Sequence, residues 1–281
     1  MRHPSRLLIA PVVLVAPCLL AVAGARLAWT RATARALAAI RATTPPHDDA
    51  TFQRAELDGL PAPVVRYFTR VLTPGQPIYR AVRLEQEGTM RRDGDRWLPF
   101  TATEVMTASP PALLWDARMP MLPLVAVHVR DGYHAGRGEM LARVAGLVPL
   151  VHQRGTRALA DGELLRVLAE GAWLPTALLQ RAGVRWSAID DGTARATLSD
   201  AGVTVSMTVH FAPTGELTRV TALRHRAEGD GAILTPFEGR FADYVSIAGM
   251  RIPRRGEVAW QLADGWTTYW RGTITRADYM R

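Results

Sequence analysis

From Tyr79 onward, apolar side chains recur at every second position, and the chain reads as a succession of strands. Leu113, Trp115, Ala117 and Met119 alternate with Leu114, Asp116 and Arg118, while Val125, Val127 and Val129 alternate with Ala126, His128 and Arg130. The clearest run sets Val203, Val205, Met207, Val209 and Phe211 against Thr204, Ser206, Thr208 and His210. Near the C-terminus Val258, Trp260 and Leu262 share a face, as do Trp266, Trp270 and Ile274. One apolar and one wetter face per strand is the pattern of an antiparallel sheet. Asp93-Gly94, Asp131-Gly132, Asp191-Gly192 and Asp264-Gly265 sit between such runs, where Asp-Gly supplies the positive φ of a tight hairpin. With Ala201-Gly202, Thr214-Gly215 and Ala248-Gly249 as further turns, residues 184–277 make a meander of about six strands.

Three stretches depart from period two. Residues 32–42 read as a short Ala/Arg helix ended by Thr43-Thr44-Pro45-Pro46. A second helix starts at Pro63, with Val64, Tyr67, Phe68, Val71 and Leu72 as its apolar stripe and Thr73-Pro74-Gly75 as its stop. A third helix, capped by Asp161, carries Leu164, Leu165, Leu168 and Ala172 on one face and ends near Pro175.

The N-terminal segment is of another kind. Residues 7–25, LLIAPVVLVAPCLLAVAGA, are uncharged and bounded by Arg6 and Arg26. As a helix they would span about 28 Å, close to the ~30 Å of a bilayer's hydrocarbon core. Trp29 stands where an interfacial aromatic is expected. The competing reading is a cleaved signal peptide, for which Ala21-Val22-Ala23 and Ala23-Gly24-Ala25 offer sites. Cys18, the single cysteine, lies in this run behind a proline and makes a poor lipid-attachment site. The arginines after the run favour a cytoplasmic C-terminal side, whereas the signal-like start favours export; export is the reading taken. The sequence thus divides into an anchor or signal segment with a basic juxtamembrane helix, residues 1–46, and one β-rich domain, residues 47–281.

Charge and composition exclude some classes. The net charge is +8, but six of the 34 basic residues, all arginine, fall in residues 1–46, which hold no acidic residue. That leaves 28 basic against 26 acidic residues for the domain, with no basic stripe for a nucleic acid. The terminal basicity suits anionic lipid head groups instead. No metal-, cofactor- or nucleotide-binding motif is present, and Gly136-Arg137-Gly138 is too short to be one. His128 and His134 flank Asp131, but zinc needs at least three converging ligands. Glu170, beside Trp173, is the one carboxylate in a setting that suits a general acid; pairing with an arginine such as Arg118 or Arg185 is the plainer role. Two Pro-rich apolar stretches, residues 119–124 and 146–151, either rim a hydrophobic cleft or pack into the core, and their methionines Met119 and Met121 would adapt to varied ligands.

The stretches LLWDARMPMLP, DGYHAGRGEM, LLRVLAEGAWLP, GVRWSAIDD and MRIPRRGEVAWQL…TTYWRG resemble a family of uncharacterised bacterial proteins with an N-terminal apolar segment, over about residues 60–279. That resemblance supplies no catalytic residue. A curved antiparallel sheet with a covering helix is similar in architecture to the half-barrels of periplasmic lipoprotein carriers, which by itself says nothing of function. The expected fold is therefore α+β, mainly antiparallel β: a half-barrel-like sheet with a covering helix, preceded by a transmembrane or signal helix. The expected function is non-catalytic binding of a lipid or other apolar ligand at the cytoplasmic membrane, with the domain exported. Trp115, Met119, Met121, Glu170, Trp173, Trp186, Trp260 and Trp270 are its candidate ligand contacts. A hydrolase using Glu170 and a scaffold for a partner protein are the alternatives. The sequence sets no oligomeric state.

Overall fold

The computed structural model describes residues 9–45, 49–91, 94–122, 125–229 and 231–281, without the side chains of residues 9–16, 18 and 19. Its helices are α1 (Ile9–Thr43), α2 (Ala62–Val71) and α3 (Arg157–Glu170), with short 3₁₀ turns after α3. The strands are β1 (Ala81–Arg91), β2 (Trp97–Thr107), β3 (Ala112–Leu122), β4 (Val125–His134), β5 (Arg137–Val144) and β6 (Val148–Arg154) before α3. After it come β7 (Arg185–Ala188), β8 (Thr193–Asp200), β9 (Val203–Phe211), β10 (Leu217–Glu228), β11 (Gly231–Ile247), β12 (Met250–Leu262) and β13 (Gly265–Met280).

All thirteen strands form one antiparallel sheet in the order β6-β5-β4-β3-β2-β1-β13-β12-β11-β10-β9-β8-β7. The chain winds outward from β1 to one edge at β6 and crosses over through α3. It restarts at the other edge with β7 and winds back until β13 pairs with β1. The sheet curves into a half-barrel whose concave face holds α3, packed against β3, β4 and β5 on one side and β8, β9 and β10 on the other. Leu164, Leu165 and Leu168 make its buried face as their spacing predicts, while Ala172 is buried in the 3₁₀ turn that follows, because the α-helix ends at Glu170. The cap is Thr156, whose Oγ1 accepts from the Leu159 N–H at 3.2 Å; Asp161 instead pairs with Arg157. Helix α2 buries Val64, Tyr67, Phe68, Val71 and Leu72 in the same core.

Two local readings are corrected. Asp131-Gly132 is not a turn: both lie within β4, and the strand reverses at Ala135-Gly136, whose φ values are +49° and +78°. Gly132 serves close strand approach, since a Cβ there would sit 2.4 Å from the Leu113 carbonyl oxygen. Of the Asp93-Gly94 turn, Asp93 lies outside the described residues, as do Pro123 and Leu124 of the first Pro-rich stretch.

The short helix at residues 32–42 is the end of the longer α1. Its C-terminal half lies on the convex face of the sheet, because the outward side chains of β3 and β4 hold it. Trp29 is not a free interfacial aromatic: it is buried, and its indole N–H donates to Asp116 Oδ1 at 3.0 Å. Thr33 donates to the other oxygen of Asp116 at 2.8 Å, and the Arg130 guanidinium lies over the Trp29 ring. Ile40 closes over Ala112 and Leu114. The apolar run of residues 7–25 falls largely outside the described side chains, and among the described residues no helix is long and apolar enough to cross a membrane.

Candidate functional site

The concave face has a bare floor. A single row across five strands reads Phe100, Gly88, Gly272, Gly256, Phe241, from β2 through β1, β13 and β12 to β11. The space where a Cβ would stand is taken by indoles at Gly272 and Gly256, and by the Arg271 carbonyl oxygen and the Phe100 ring at Gly88. A Cβ on Gly272 would fall 2.2 Å from the Trp270 ring, and one on Gly256 would fall 3.0 Å from the Trp173 ring. Trp270 stacks on Phe100 with centroids 5.7 Å apart, and Trp173 meets Phe241 edge-on at 5.7 Å. The Trp173 indole N–H donates to the Pro253 carbonyl at 3.0 Å, which fixes its ring.

Between this floor and α3 remains a cavity of about 90 Å³, lined among others by Trp115, Trp173, Phe237, Phe241, Tyr269 and Trp270. That is room for about three waters, well below the ~300 Å³ of ordinary ligand sites. Grooves of about 490 and 550 Å³ flank α1 on the convex face, but charged side chains such as Arg83, Arg118 and Arg154 line them.

A charged cluster lies beneath α3 at the wall of the cavity. Arg166 donates through Nε to Glu170 Oε1 at 2.5 Å, through Nη1 to Asp131 Oδ2 at 2.9 Å and through Nη2 to Glu104 Oε2 at 3.3 Å. Its guanidinium lies 5.4 Å from the Trp115 ring. Gln86 links the last two groups, donating to Glu104 and accepting from the Trp115 indole. One turn earlier on α3, Glu163 accepts from Arg224 at 3.0 Å, and Arg224 lies over the rings of Phe237 and Trp260.

Four carboxyl groups thus meet two guanidiniums. Glu104 stands beside Glu170, and Glu163 beside Asp131, so that like charges would crowd each other beneath the helix. Burial, then the charge of Glu170, pushes Glu104 well above the usual carboxylate range. Burial, then the charge of Asp131, pushes Glu163 up to about 8. One oxygen on each of these four carboxyl groups is buried without a hydrogen-bond partner.

Of the eight side chains named from the sequence, Trp115, Glu170, Trp173 and Trp270 meet at the cavity. Trp260 stands behind it, stacked on Tyr269. Met119 is in the core and Met121 is half-buried at the end of β3. Trp186 packs under α2 against Phe68 and Phe211, away from the cavity. The arginine of Glu170 is Arg166, one turn back on its own helix, rather than Arg118 or Arg185. Gln86, Glu104, Asp131, Glu163, Arg166 and Arg224 were not singled out from the sequence, although a signal existed. Glu104 shares the inward parity of Phe100, Ala102 and Met106, and Asp131 that of Val127, Val129 and Tyr133. A charge on an apolar face needs a buried partner. Among the described residues no group of His, Cys, Asp and Glu is arranged to hold a metal.

The fold is similar to that of a LolA superfamily protein from Nitrosomonas europaea, with 11% identity, a TM-score of 0.41 and coverage of 78% of this chain and 92% of that one. It is also similar to a beta-barrel-like protein of a domain of unknown function, DUF1849, from Brucella abortus, with 12% identity, a TM-score of 0.24 and coverage of 72% and 99%. No curated protein sequence matches. A family model matches residues 58–279, nearly the whole sheet with α2 and α3, and the chain belongs to that family of unknown function, DUF6920.

Proposed function

We propose that the half-barrel binds an apolar ligand, a lipid or other acyl chain, without chemically changing it, in the cleft between α3 and strands β11–β13. The observation that carries this reading is the aromatic cleft itself: six rings around a space that α3 only partly fills, over a floor kept bare by glycine. An acyl chain enters only if α3 lifts. The charged groups beneath the helix regain hydration when they separate, which offsets part of the cost of exposing Leu164, Leu165 and Leu168.

In the same reading, residues 7–25 anchor the protein in the cytoplasmic membrane, residues 1–46 act as anchor and basic juxtamembrane helix, and the domain of residues 47–281 is exported. The uncharged run bounded by Arg6 and Arg26 supports this. The geometry gives the hydrolase alternative little: Glu170 is held by Arg166, and Glu104 is fully buried away from the cavity lining.

The test is native mass spectrometry of the full chain released from mild detergent, with saturable quenching of tryptophan fluorescence by a brominated long-chain alcohol. A lipid-sized adduct and quenching are expected, with the same adduct on Glu170→Gln. Absence of both defeats the reading, and a cleaved adduct on wild type beside an intact one on the variant establishes an enzyme.

A further inference from the structure

Helix α1 marks out one end of the half-barrel. Near its C-terminus, Thr43 Oγ1 lies 3.0 Å from His134 Nε2, beside the β4–β5 turn. Further back, the β5–β6 turn touches it, with Gly146 placed so that a Cβ would lie 3.3 Å from Ala25. The helix therefore runs along the convex face and passes the end of the sheet at Ala25. Residues 9–24 continue beyond as about 24 Å of helix. Ala25 is also the last residue of the uncharged run, followed by Arg26. The sequence boundary and the edge of the body coincide.

The same end of the sheet bears exposed apolar side chains. The hairpin tips on either side of the helix carry Leu122, 68% exposed, on β3, and Leu147, Val148 and Leu150, 43%, 58% and 57% exposed, around the β5–β6 turn. The hairpins β12–β13 and β10–β11 turn at this end too, with Trp266, Ile233 and Leu234 exposed. At the opposite end the turns β2–β3, β4–β5, β7–β8, β9–β10 and β11–β12 show, among the described residues, only Ile189 and Met280 as exposed large hydrophobics.

We propose that the end of β3 and the β5–β6 turn are a bilayer contact, with Leu122, Leu147, Val148 and Leu150 seated in the interfacial layer of the membrane that the N-terminal run enters. The inference rests on the anchor reading of residues 7–25. Lipid is the occupant because Gly146 touches Ala25, so its neighbours Leu147 and Val148 lie at the depth where the helix passes from charged to uncharged residues. A helix crossing there brings the head-group region to the tips, and apolar side chains gain by entering it. The concave cleft then belongs to a body held with one rim on its lipid source.

The experiment uses the full chain with Cys18→Ser, its sole cysteine removed, in vesicles of phosphatidylcholine and phosphatidylglycerol at a ratio of about 4:1. A single cysteine at Val148 or Leu150, or at Met280 on the opposite end, carries an environment-sensitive fluorophore. Nitroxide-labelled lipid should quench the two tip probes at least about two-fold and shift their emission to the blue, leaving the Met280 probe unchanged. Tip probes as unquenched as Met280 on a chain that floats with the vesicles overturn the contact and leave the anchor standing. A chain that does not float overturns both. Tip probes that respond to protein concentration and not to quencher lipid assign the surface to a second copy, which also overturns the proposal. Val148, Leu150 and Met280 are exposed, so the probes leave the core untouched.

Discussion

Glu163→Gln tests whether Glu163 and Asp131 share a proton in the buried cluster. Glu163 is buried and accepts from Arg224 through Oε1, while its Oε2 is buried without a hydrogen-bond partner. Its pKa rises from 4.5 unfolded to about 8 folded. Between those values the folded state holds a proton that the unfolded chain has released, so stability is full below about 4.5 and falls as pH rises toward 8. At about 1.4 kcal/mol per pH unit, the loss approaches 5 kcal/mol. Glutamine copies the protonated acid: its oxygen accepts from Arg224 and its amide donates to Asp131. At pH 4.5 the variant should therefore lie within about 1 kcal/mol of wild type. By pH 8.5 it should be the more stable protein by several kcal/mol. Urea unfolding of both full-length chains in detergent, followed by circular dichroism across this range, gives the difference curve. Taking the difference cancels His128 and His210, whose pKa values burial lowers and whose linkage has the opposite sign. Parallel curves, or a wild type that gains on the variant as pH rises, would refute the shared proton.

Two further perturbations probe the same region. Arg166→Met should cost about 3–5 kcal/mol at neutral pH, since it leaves the buried Glu104 and the part-buried Asp131 and Glu170 without their cation; thermal melts at pH 7 measure it. Gly272→Ala sets a Cβ 2.2 Å from the Trp270 ring, which should cost about 1–3 kcal/mol by overpacking and reduce quenching by the brominated alcohol, as read by urea unfolding and fluorescence.

The strand pattern was legible because it is a local property. In β9 the alternation from Val203 to Phe211 is reproduced by alternating buried and outward residues, and the α2 stripe from Val64 to Leu72 is fully buried. Asp131-Gly132 misled because Asp-Gly favours turns on local grounds, whereas close packing of β4 on β3 used the glycine for its missing Cβ. The aromatic members of the site were visible as tryptophans, but Trp186 shows that residue type alone does not place a side chain: it belongs to the α2 contact.

By itself, then, the sequence determined which positions face inward and which segments turn, because the 2.0 and 3.6 periods are written in neighbouring residues. It also marked the uncharged run that ends at Ala25. Only the tertiary structure decided which inward positions meet. Glu104 on β2, Asp131 on β4, Glu163, Arg166 and Glu170 on α3 and Arg224 on β10 converge through strand order and the crossover of α3. The row Gly88, Gly272, Gly256 exists only through the register of β1 on β13 and of β12 on β13. Such contacts join residues far apart in the chain, and their energies depend on burial and on neighbouring charge, which arise when the sheet closes around the helix.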